Sequence, residues 1–475
     1  MKSLFLPVFA FFLTIAAGAA LFLPLQASSA DPRLRGAYRF EQNGWIYVHL
    51  QGTPEQLGYQ HGYLLAPEIA DAMEVYKLRA THDTGRDWAF FKQNAHDMLW
   101  PRIDPEYQQE LQGIVSGLQA RGVKLDLDEV VALNAMEEVP DYYVPWLNSQ
   151  QKSENAPRLA APGNCSALIA TGSYTRDGRI VIAHSNWTSY LQGQRWTVIF
   201  DIVPQKGERI LMDGYPGIIT SDDDFGVNGA GIVVTETTIT QFHGFDPKGT
   251  PEFARSRKAM QYAKSIDDWI AIMRDGNNGG YANDWLVGDN KTGEIAQVEL
   301  GLKHTPVWRT RDGYFHGSNW ARDPKVIAEE TSFDAKDPAS SPNARKTRWE
   351  QLIEQAKGKI DVAFAQQALA DHYDVIEKKQ QANERTLCGH ADASSRGIPE
   401  WIWGPNYPGG AVQGKAMDSA MASSLSFYAR AGHPCGADFH AKEFLARYPA
   451  YSWQAPRLQD MKAGPWTLFK AGQQR

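Results

Sequence analysis

A change of residue pattern at Cys165 constrains the fold more than any other feature of the chain. From this residue onward, short apolar runs alternate with turn residues, as in Cys165–Ala170 and Arg179–Ala183, which flank an Asp177-Gly178 turn. Asp-Gly between two apolar runs is a strong indicator of a β-hairpin. Residues 285–288 and 294–300 form a second predicted hairpin, around Asn290-Lys291-Thr292-Gly293. The section after Cys165 is therefore predicted to be rich in antiparallel strands.

Helical patterns surround this group of strands. In the front section, a predicted strand at Trp45–Leu50 is followed by Thr53-Pro54-Glu55-Gln56, which is typical of an N-cap, a first-turn proline and a capping box. Apolar residues then recur at helical spacing within residues 55–140, and His61 is expected in the core or at an interface. Helical spacing returns in residues 255–274 and 345–370. Strands grouped between helical segments favour an α+β layered architecture.

A polar segment without periodicity separates the two patterns. Residues 150–164, QQKSENAPRLAAPGN, contain proline, alanine, asparagine and glycine, which indicates an exposed loop. The chain thus divides into a leader (residues 1–30), a helical front section (31–164) and a strand-rich section (165–475).

The leader has the pattern of a secretory signal. Lys2 supplies the positive end, Leu4–Phe22 form an apolar run, and the small residues at Ala27–Ala30 offer a cleavage site. The alternative is a permanent membrane anchor, because the apolar run approaches the roughly 18 residues that span a bilayer. With the signal removed, we expect no stable membrane insertion and a periplasmic or secreted protein, or a lysosomal one in a eukaryote.

Charge and motif content exclude several classes of function. The formal net charge is -7, the isoelectric point is near 6.0, and no basic block supplies a nucleic-acid interface. The twelve histidines show no metal-ligand spacing, and no nucleotide-binding loop is present. We therefore expect no metal or other cofactor, and we interpret Asp222–Asp224 as a solvated turn.

The three cysteines are informative in a chain that is expected to be exported. Cys388 and Cys435 are candidates for a disulfide, which leaves Cys165 as the odd thiol. An unpaired cysteine in an oxidising compartment is either reactive or buried and inert. The cysteine count alone favours the inert alternative.

The position of Cys165 at the start of a strand suggests a chemical role. If the Asn164–Cys165 peptide bond were cut, a new α-amine would lie beside the thiol. An α-amine has a pKa near 8, so it is able to take the thiol proton as a general base. Scission needs a strained turn before Cys165, which Gly163 would help to form.

Several segments resemble a known family. Cys165-Ser-Ala-Leu168 and His184-Ser-Asn-Trp-Thr-Ser-Tyr190 resemble the phospholipase B-like, or lamina ancestor, family of N-terminal-nucleophile hydrolases. The resemblance continues through residues 215–223, 231–239 and 281–285. It implies a four-layer αββα sandwich and internal cleavage before the cysteine.

The front section resembles a second, related family. Gly52–Ala66 is similar to a segment of the penicillin acyltransferase-like cysteine peptidases. That family usually has Asn-Trp-Asp after its nucleophile strand, whereas this chain has Asn186-Trp187-Thr188. The missing aspartate favours the phospholipase B-like family.

The resemblance also implies roles for individual residues. Cys165 would be the nucleophile, and Asn164 the new end of the front fragment. His184 would orient the substrate or polarise its carbonyl, Trp187 would form an apolar pocket wall, and Asn283 would serve an oxyanion hole. Thr237 is a further candidate. For each residue after Cys165 the alternative is ordinary packing or a turn.

These observations predict a self-processing cysteine hydrolase whose two fragments stay associated. By resemblance, its substrate would be an acyl ester bond in phospholipids or related lipids. The alternatives are an amidase or acyltransferase on small N-acyl compounds, and a secreted binding protein that keeps the fold without turnover.

Overall fold

Two β-sheets stack face to face in the computed structural model, which describes residues 31–150, 165–222 and 225–474. The predicted signal and residue 164, on the front side of the predicted cleavage point, lie outside the described residues. Sheet A has nine strands in the order β1-β2-β5-β6-β7-β8-β9-β10-β11. Their bounds are Tyr38–Gln42, Trp45–Gly52, Val198–Pro204, Ile210–Gly214, Gly226–Asn228, Ile232–Thr238, Asn283–Asp289, Glu294–Leu300 and Val307–Thr310.

Sheet B has six strands and contains the start of the strand-rich section. Its order is β12-β3-β4-β15-β16-β17, and every neighbouring pair is antiparallel. A separate two-stranded ribbon pairs β13 with β14. The bounds of β3, β4 and β12 to β17 are Ser166–Thr171, Val181–Ser189, Gly313–Gly317, Tyr373–Asp374, Lys379–Gln380, Gly409–Asp418, Ser426–Ala431 and Thr467–Lys470.

Most of the α-helices lie on the outer faces of the two sheets. In chain order, α1 to α7 span Pro54–Leu64, Ala66–Thr84, Trp88–Asn94, Pro105–Ala120, Leu127–Asn134, Val144–Gln150 and Tyr190–Gly193. Helices α8 to α14 span Glu252–Tyr262, Ile266–Arg274, Pro324–Glu330, Ser341–Gln355, Val362–Leu369, Ser419–Ser423 and Ala441–Arg447.

Three apolar cores separate four layers. Between the sheets, side chains such as Leu211 and Val233 of sheet A meet Ile169 and Phe427 of sheet B. The outer face of sheet A packs against α1, α2, α4, α5, α8 and α9. The outer face of sheet B packs against α11 and α12. The predicted αββα sandwich is confirmed.

The front section is built into sheet A. Strand β2 lies between β1 and β5, and it pairs with β5 in parallel from Ile46 opposite Val198 to Gly52 opposite Pro204. The front section thus supplies two strands as well as six α-helices of the described residues. Its helices and strands share one core with the rest of sheet A.

Most of the predicted elements are present in the structure. Thr53 caps α1 and forms the predicted capping box with Gln56. His61 is buried, its Nε2 accepts a hydrogen bond from the Gly217 amide at 3.0 Å, and burial lowers its pKa to about 3. The two late helical segments are each broken into two helices, α8 with α9 and α11 with α12.

No helix in the described parts of the chain is long and apolar enough to cross a membrane.

Helices α1 and α4 cross closely because glycines line their contact. A Cβ built on Gly62 would lie 2.1 Å from the Ile114 carbonyl oxygen. We expect Gly62→Ala to lower the free energy of unfolding by about 1–3 kcal/mol, since the backbones must separate. Chemical denaturation should show this loss. Gly404→Ala is the control, because its Cβ would meet nothing closer than 3.5 Å; equal effects of the two variants would contradict the packing account.

Candidate active site

Cys165 lies immediately before β3, with its side chain fully buried. Its Sγ is 3.8 Å from Glu236 Oε1 and 3.9 Å from Asn186 Oδ1. Its backbone φ of 94° is in the region that favours glycine, so the backbone of Cys165 is strained. The thiol is thus held among polar groups at a strained point of the chain.

The hairpin of β3 and β4 brings His184 and Asn186 to the cysteine. Ala167 pairs with His184 in the antiparallel register, and side chains alternate between the two faces of a strand. Ala167 and Ile182 point between the sheets, so Cys165, His184 and Asn186 share that inner face. One nitrogen of His184, one oxygen of Glu236 and the Cys165 sulfur all lie within 4.8 Å of one another.

Arg345 of α11 fixes the backbone of the cysteine. Its Nη1 donates to the Cys165 carbonyl oxygen at 2.6 Å and to Ser166 Oγ at 3.2 Å, and its Nη2 donates to Asn319 Oδ1 at 2.8 Å. The guanidinium also lies 4.2 Å from the centre of the Trp187 ring. Burial lowers the pKa of Arg345 to about 9, yet the group remains a cation at neutral pH.

A second set of contacts positions Glu236. The Tyr281 hydroxyl donates to its Oε1 at 3.2 Å. The Asn283 amide, in the orientation that satisfies its neighbours, donates to Glu236 Oε2 and to the Ala282 carbonyl, both at 3.0 Å. These two acceptors occupy both amide hydrogens of Asn283 in this structure. The oxyanion role of Asn283 stays a prediction.

Two side chains beside the thiol have free hydrogen-bonding capacity. The Asn186 Nδ2 and both ring nitrogens of His184 are buried and have no hydrogen-bond partner among the described residues. Buried polar groups are rarely left without a partner in native proteins. Asn186 Nδ2 is therefore a donor available to a substrate oxygen near Cys165.

The electrostatic surroundings keep His184 neutral. Burial, followed by the charge of Lys415, lowers the pKa of His184 well below its usual value. Lys415 is opposite His184 in the β4–β15 register, and its Nζ forms a fully buried ion pair with Asp213 at 2.7 Å. His184 therefore acts as a neutral hydrogen-bonding group and not as a cation.

Trp187 and Thr237 make no hydrogen bond to the Cys165 thiol among the described residues. Trp187 lies on the other face of β4 from His184, buried against Trp401 and Trp403, and its ring contacts the Arg345 guanidinium that holds the Cys165 carbonyl. Thr237 faces Gly317 of β12, and its hydroxyl has no hydrogen-bond partner among the described residues. Their proposed contact with substrate stays a prediction.

Cys388 and Cys435 are free thiols in this structure. The predicted disulfide is therefore not formed here, although the two sulfurs lie within 4.8 Å of each other. Each sulfur is instead 3.6 Å from His390 Nε2.

A cavity of about 350 Å³ opens beside the C-terminal end of β4. Thr188, two residues after Asn186 on the same face of the strand, belongs to its wall. Its lining combines charged groups with aromatic rings: Arg79, Asp83, Glu137, Asp141, Trp403, Tyr407, Tyr451 and Trp453. The cavity therefore adjoins the strand that carries Asn186.

Three residues of this site were not among the sequence predictions. Asn186 lies inside the His184–Tyr190 segment, and Glu236 is a carboxylate within an otherwise apolar and threonine-rich strand, so both had a signal. Arg345 had no such signal in the sequence, because nothing in its neighbourhood distinguishes it from the other charged residues of the same helix. Its role depends on how α11 packs onto sheet B.

Comparison with known proteins supports the resemblance. The family model "Phospholipase B" matches residues 72–299. Phospholipase B-like protein C of Dictyostelium discoideum is 26% identical over 57% of this chain and 54% of its own length. Putative phospholipase B-like 2 of Rattus norvegicus is 32% identical over 31% of this chain and 27% of its own length.

The chain thus matches about half or less of the length of these relatives. A crystal structure of a mutant conjugated bile acid hydrolase from Clostridium perfringens aligns with 56% of this chain and 88% of that chain. With 11% identity and a TM-score of 0.31, that likeness is too weak to indicate a shared activity. The sequence resemblance to the phospholipase B-like proteins is confirmed by the family model and by the relatives.

The neutral state of His184 gives a pH-dependent stability. As pH falls below about 6.5, a histidine in the unfolded chain binds a proton that the folded chain excludes. The free energy of unfolding should therefore fall more steeply in the wild type than in His184→Gln, by up to about 1.4 kcal/mol per pH unit. Denaturation curves between pH 7 and pH 5 measure this. A difference between the two proteins that does not change with pH would contradict the assignment.

Proposed function

We propose that this relative of the phospholipase B-like proteins is a self-processing cysteine hydrolase that cleaves acyl ester bonds of phospholipids or related lipids. The surroundings of Cys165 carry the proposal. Its buried thiol lies beside Glu236 and Asn186, its backbone is strained, and its carbonyl is held by the Arg345 guanidinium. An inert core cysteine needs none of these polar contacts.

The first step in the proposal is cleavage of the Asn164–Cys165 bond. The Cys165 sulfur attacks the Asn164 carbonyl carbon, the C–N bond breaks, and a thioester forms while the nitrogen takes the thiol proton and becomes an α-amine. Water then hydrolyses the thioester, which leaves a carboxylate on Asn164 and restores the thiol. A non-glycine residue in a strained backbone region stores about 1–3 kcal/mol, which cleavage would release.

The second step is acyl transfer from substrate to water. The new α-amine takes the thiol proton, and the sulfur attacks the acyl carbonyl carbon. The proton passes to the leaving alcohol, and the acyl group stays on sulfur as a thioester. Water repeats the sequence and releases the fatty acid.

The described side chains supply charge stabilisation and orientation. Asn186 Nδ2 has no hydrogen-bond partner among the described residues, and its amide lies beside the thiol, so it is proposed to stabilise the oxyanion. Arg345 holds the Cys165 carbonyl, so it fixes the direction of the amine and the thiol. Glu236, positioned by Tyr281 and Asn283, would accept a hydrogen bond from the ammonium state of the amine.

The contacts of the front section support the proposal that the two fragments stay associated. Strand β2 lies inside sheet A, and its pairing with β5 does not depend on the peptide bond before Cys165. The buried Arg257–Glu110 ion pair, at 3.2 Å, also joins the two sections. The Glu138 carboxylate accepts the Glu252 amide at 2.8 Å at the start of α8.

The substrate class rests on the relatives and on the cavity. The relatives are named phospholipase B-like, and the aromatic wall of the cavity offers apolar surface next to polar groups. A volume of about 350 Å³ is at the small end of ligand pockets and fits part of a lipid. Export by the leader is part of the proposal, because residues 1–30 have the pattern of a secretory signal.

Release of fatty acid tests this function. We expect the purified wild type to release fatty acid from a phosphatidylcholine dispersion faster than from an N-acyl amide of the same chain length. Cys165→Ala should release none above background. Faster release from the amide would favour the amidase alternative. Fatty-acid release by the wild type no faster than the background rate of Cys165→Ala, on either substrate, would favour the binding-protein alternative.

The oxyanion donor has a matched control on the same strand. Asn186→Ala should lower kcat by about 10²–10³ with little change of KM, because the donor acts in the transition state. Ser185→Ala is the control, since Ser185 is equally buried but points to the opposite face of β4. Initial rates on the preferred substrate measure both. Equal kcat values for the two variants would contradict the role of Asn186.

A further inference from the structure

Four side chains that bind transition metals meet on the outer side of sheet B, away from the inner face that bears Cys165. They are His372, Cys388, His390 and Cys435, and one donor atom of each lies within 4.8 Å of all the others. His390 Nε2 is 3.6 Å from both sulfurs. Distances of this size are close to those between neighbouring ligand atoms around a four-coordinate ion.

We propose that these four residues form a structural binding site for a zinc-type divalent metal ion. Two thiolates and two imidazoles are a ligand set that zinc takes in tetrahedral structural sites. All four positions would be filled by protein, so none is left for water or substrate. The site is therefore separate from the proposed hydrolytic chemistry.

The backbone holds the ligand-bearing segments in place. The Cys388 amide donates to the Asp371 carbonyl at 3.1 Å, next to His372. Asp371 in turn receives two hydrogen bonds from Arg348 of α11, at 2.8 and 2.7 Å. The His390 amide donates to the Asn383 carbonyl at 3.0 Å. These bonds fix the positions of three ligands before any metal binds.

Contacts around the ligands also match those of metal sites. His390 Nδ1 faces Asp392 Oδ1 at 3.6 Å, on the opposite side of the ring from the sulfurs, and Asp392 accepts from the Tyr190 hydroxyl at 2.7 Å. A carboxylate on the far nitrogen of a ligating histidine fixes its tautomer and orientation. The Ala437 amide donates to Cys435 Sγ at 3.5 Å, which suits a sulfur carrying negative charge.

One of the four residues, His372, has unused hydrogen-bonding capacity. The Nε2 of His372 is buried and has no hydrogen-bond partner among the described residues. Both thiols are free although they are close neighbours. A metal ion would bind one nitrogen of His372 and keep the two thiols from pairing. On binding, the thiols release two protons, so the ion's two positive charges are balanced by two thiolates.

The proposed ion would stabilise the position of Arg345 through Trp187, which packs against the segment that bears two of the ligands. Gly389, between two of the ligands, packs against Trp187 so closely that a built Cβ would lie 2.0 Å from the indole. The same indole contacts Arg345, which holds the Cys165 carbonyl. Anchoring Cys388 and His390 to an ion would therefore fix Trp187 and, through it, the guanidinium.

Metal analysis of the full chain tests the site. The protein should be purified without a metal-affinity tag and dialysed, and zinc should then be measured by elemental mass spectrometry. We expect one ion per chain in the wild type and in Cys165→Ala, and a loss of most of it in His390→Ala and Cys435→Ser. His96→Ala is a matched histidine control on the exposed surface and should keep the ion.

A spectroscopic measurement on the wild type covers the case in which the variants do not fold. X-ray absorption should show two sulfur ligands at about 2.3 Å and two nitrogen ligands at about 2.0–2.1 Å. Three outcomes overturn the proposal: no bound metal, a chain mass lower by two hydrogens that shows a Cys388–Cys435 disulfide, or loss of the ion in Cys165→Ala. The last result would place the ion with Cys165, His184 and Glu236 instead.

Discussion

The hydrogen bond from Arg345 to the Cys165 carbonyl is the interaction on which the rest of the site depends. A buried guanidinium is costly to desolvate unless its hydrogens are used, and here Cys165, Ser166 and Asn319 accept them while Trp187 covers one face. The arrangement ties α11 and sheet B to a single backbone carbonyl. It therefore sets where the thiol points and holds the strained φ at the start of β3.

Buried polar side chains surround Cys165 in the space between the two sheets. The core between the sheets contains many apolar side chains, but near Cys165 it contains His184, Asn186 and the Lys415–Asp213 pair. Partnered charges such as Lys415 and Asp213 are tolerated there, whereas His184 responds to burial by staying neutral. Free hydrogen-bonding groups at this point lower stability, which is the usual cost of a functional site.

Local patterns predicted the elements, while long-range packing determined the contacts. The capping box at Thr53 and the hairpin that begins at Cys165 are encoded within a few residues, so both were predictable. The pairing of β2 with β5 and the approach of Arg345 to Cys165 join distant segments, and no spacing rule reports them. The same holds for the cluster of His372, Cys388, His390 and Cys435, whose members are too irregularly spaced to form a motif. The expectation of no metal site followed from spacing alone, and the folded structure gives the opposite inference.

The N-terminal residue of the large fragment is the most direct test of the claim that Cys165 becomes an N-terminal nucleophile. Intact mass and N-terminal sequencing of the purified wild type should give two co-purifying fragments, the second beginning at Cys165. Cys165→Ala should remain uncut between residues 31 and 475. A single uncut chain in an active wild type, or a cut at any other bond, would contradict the account.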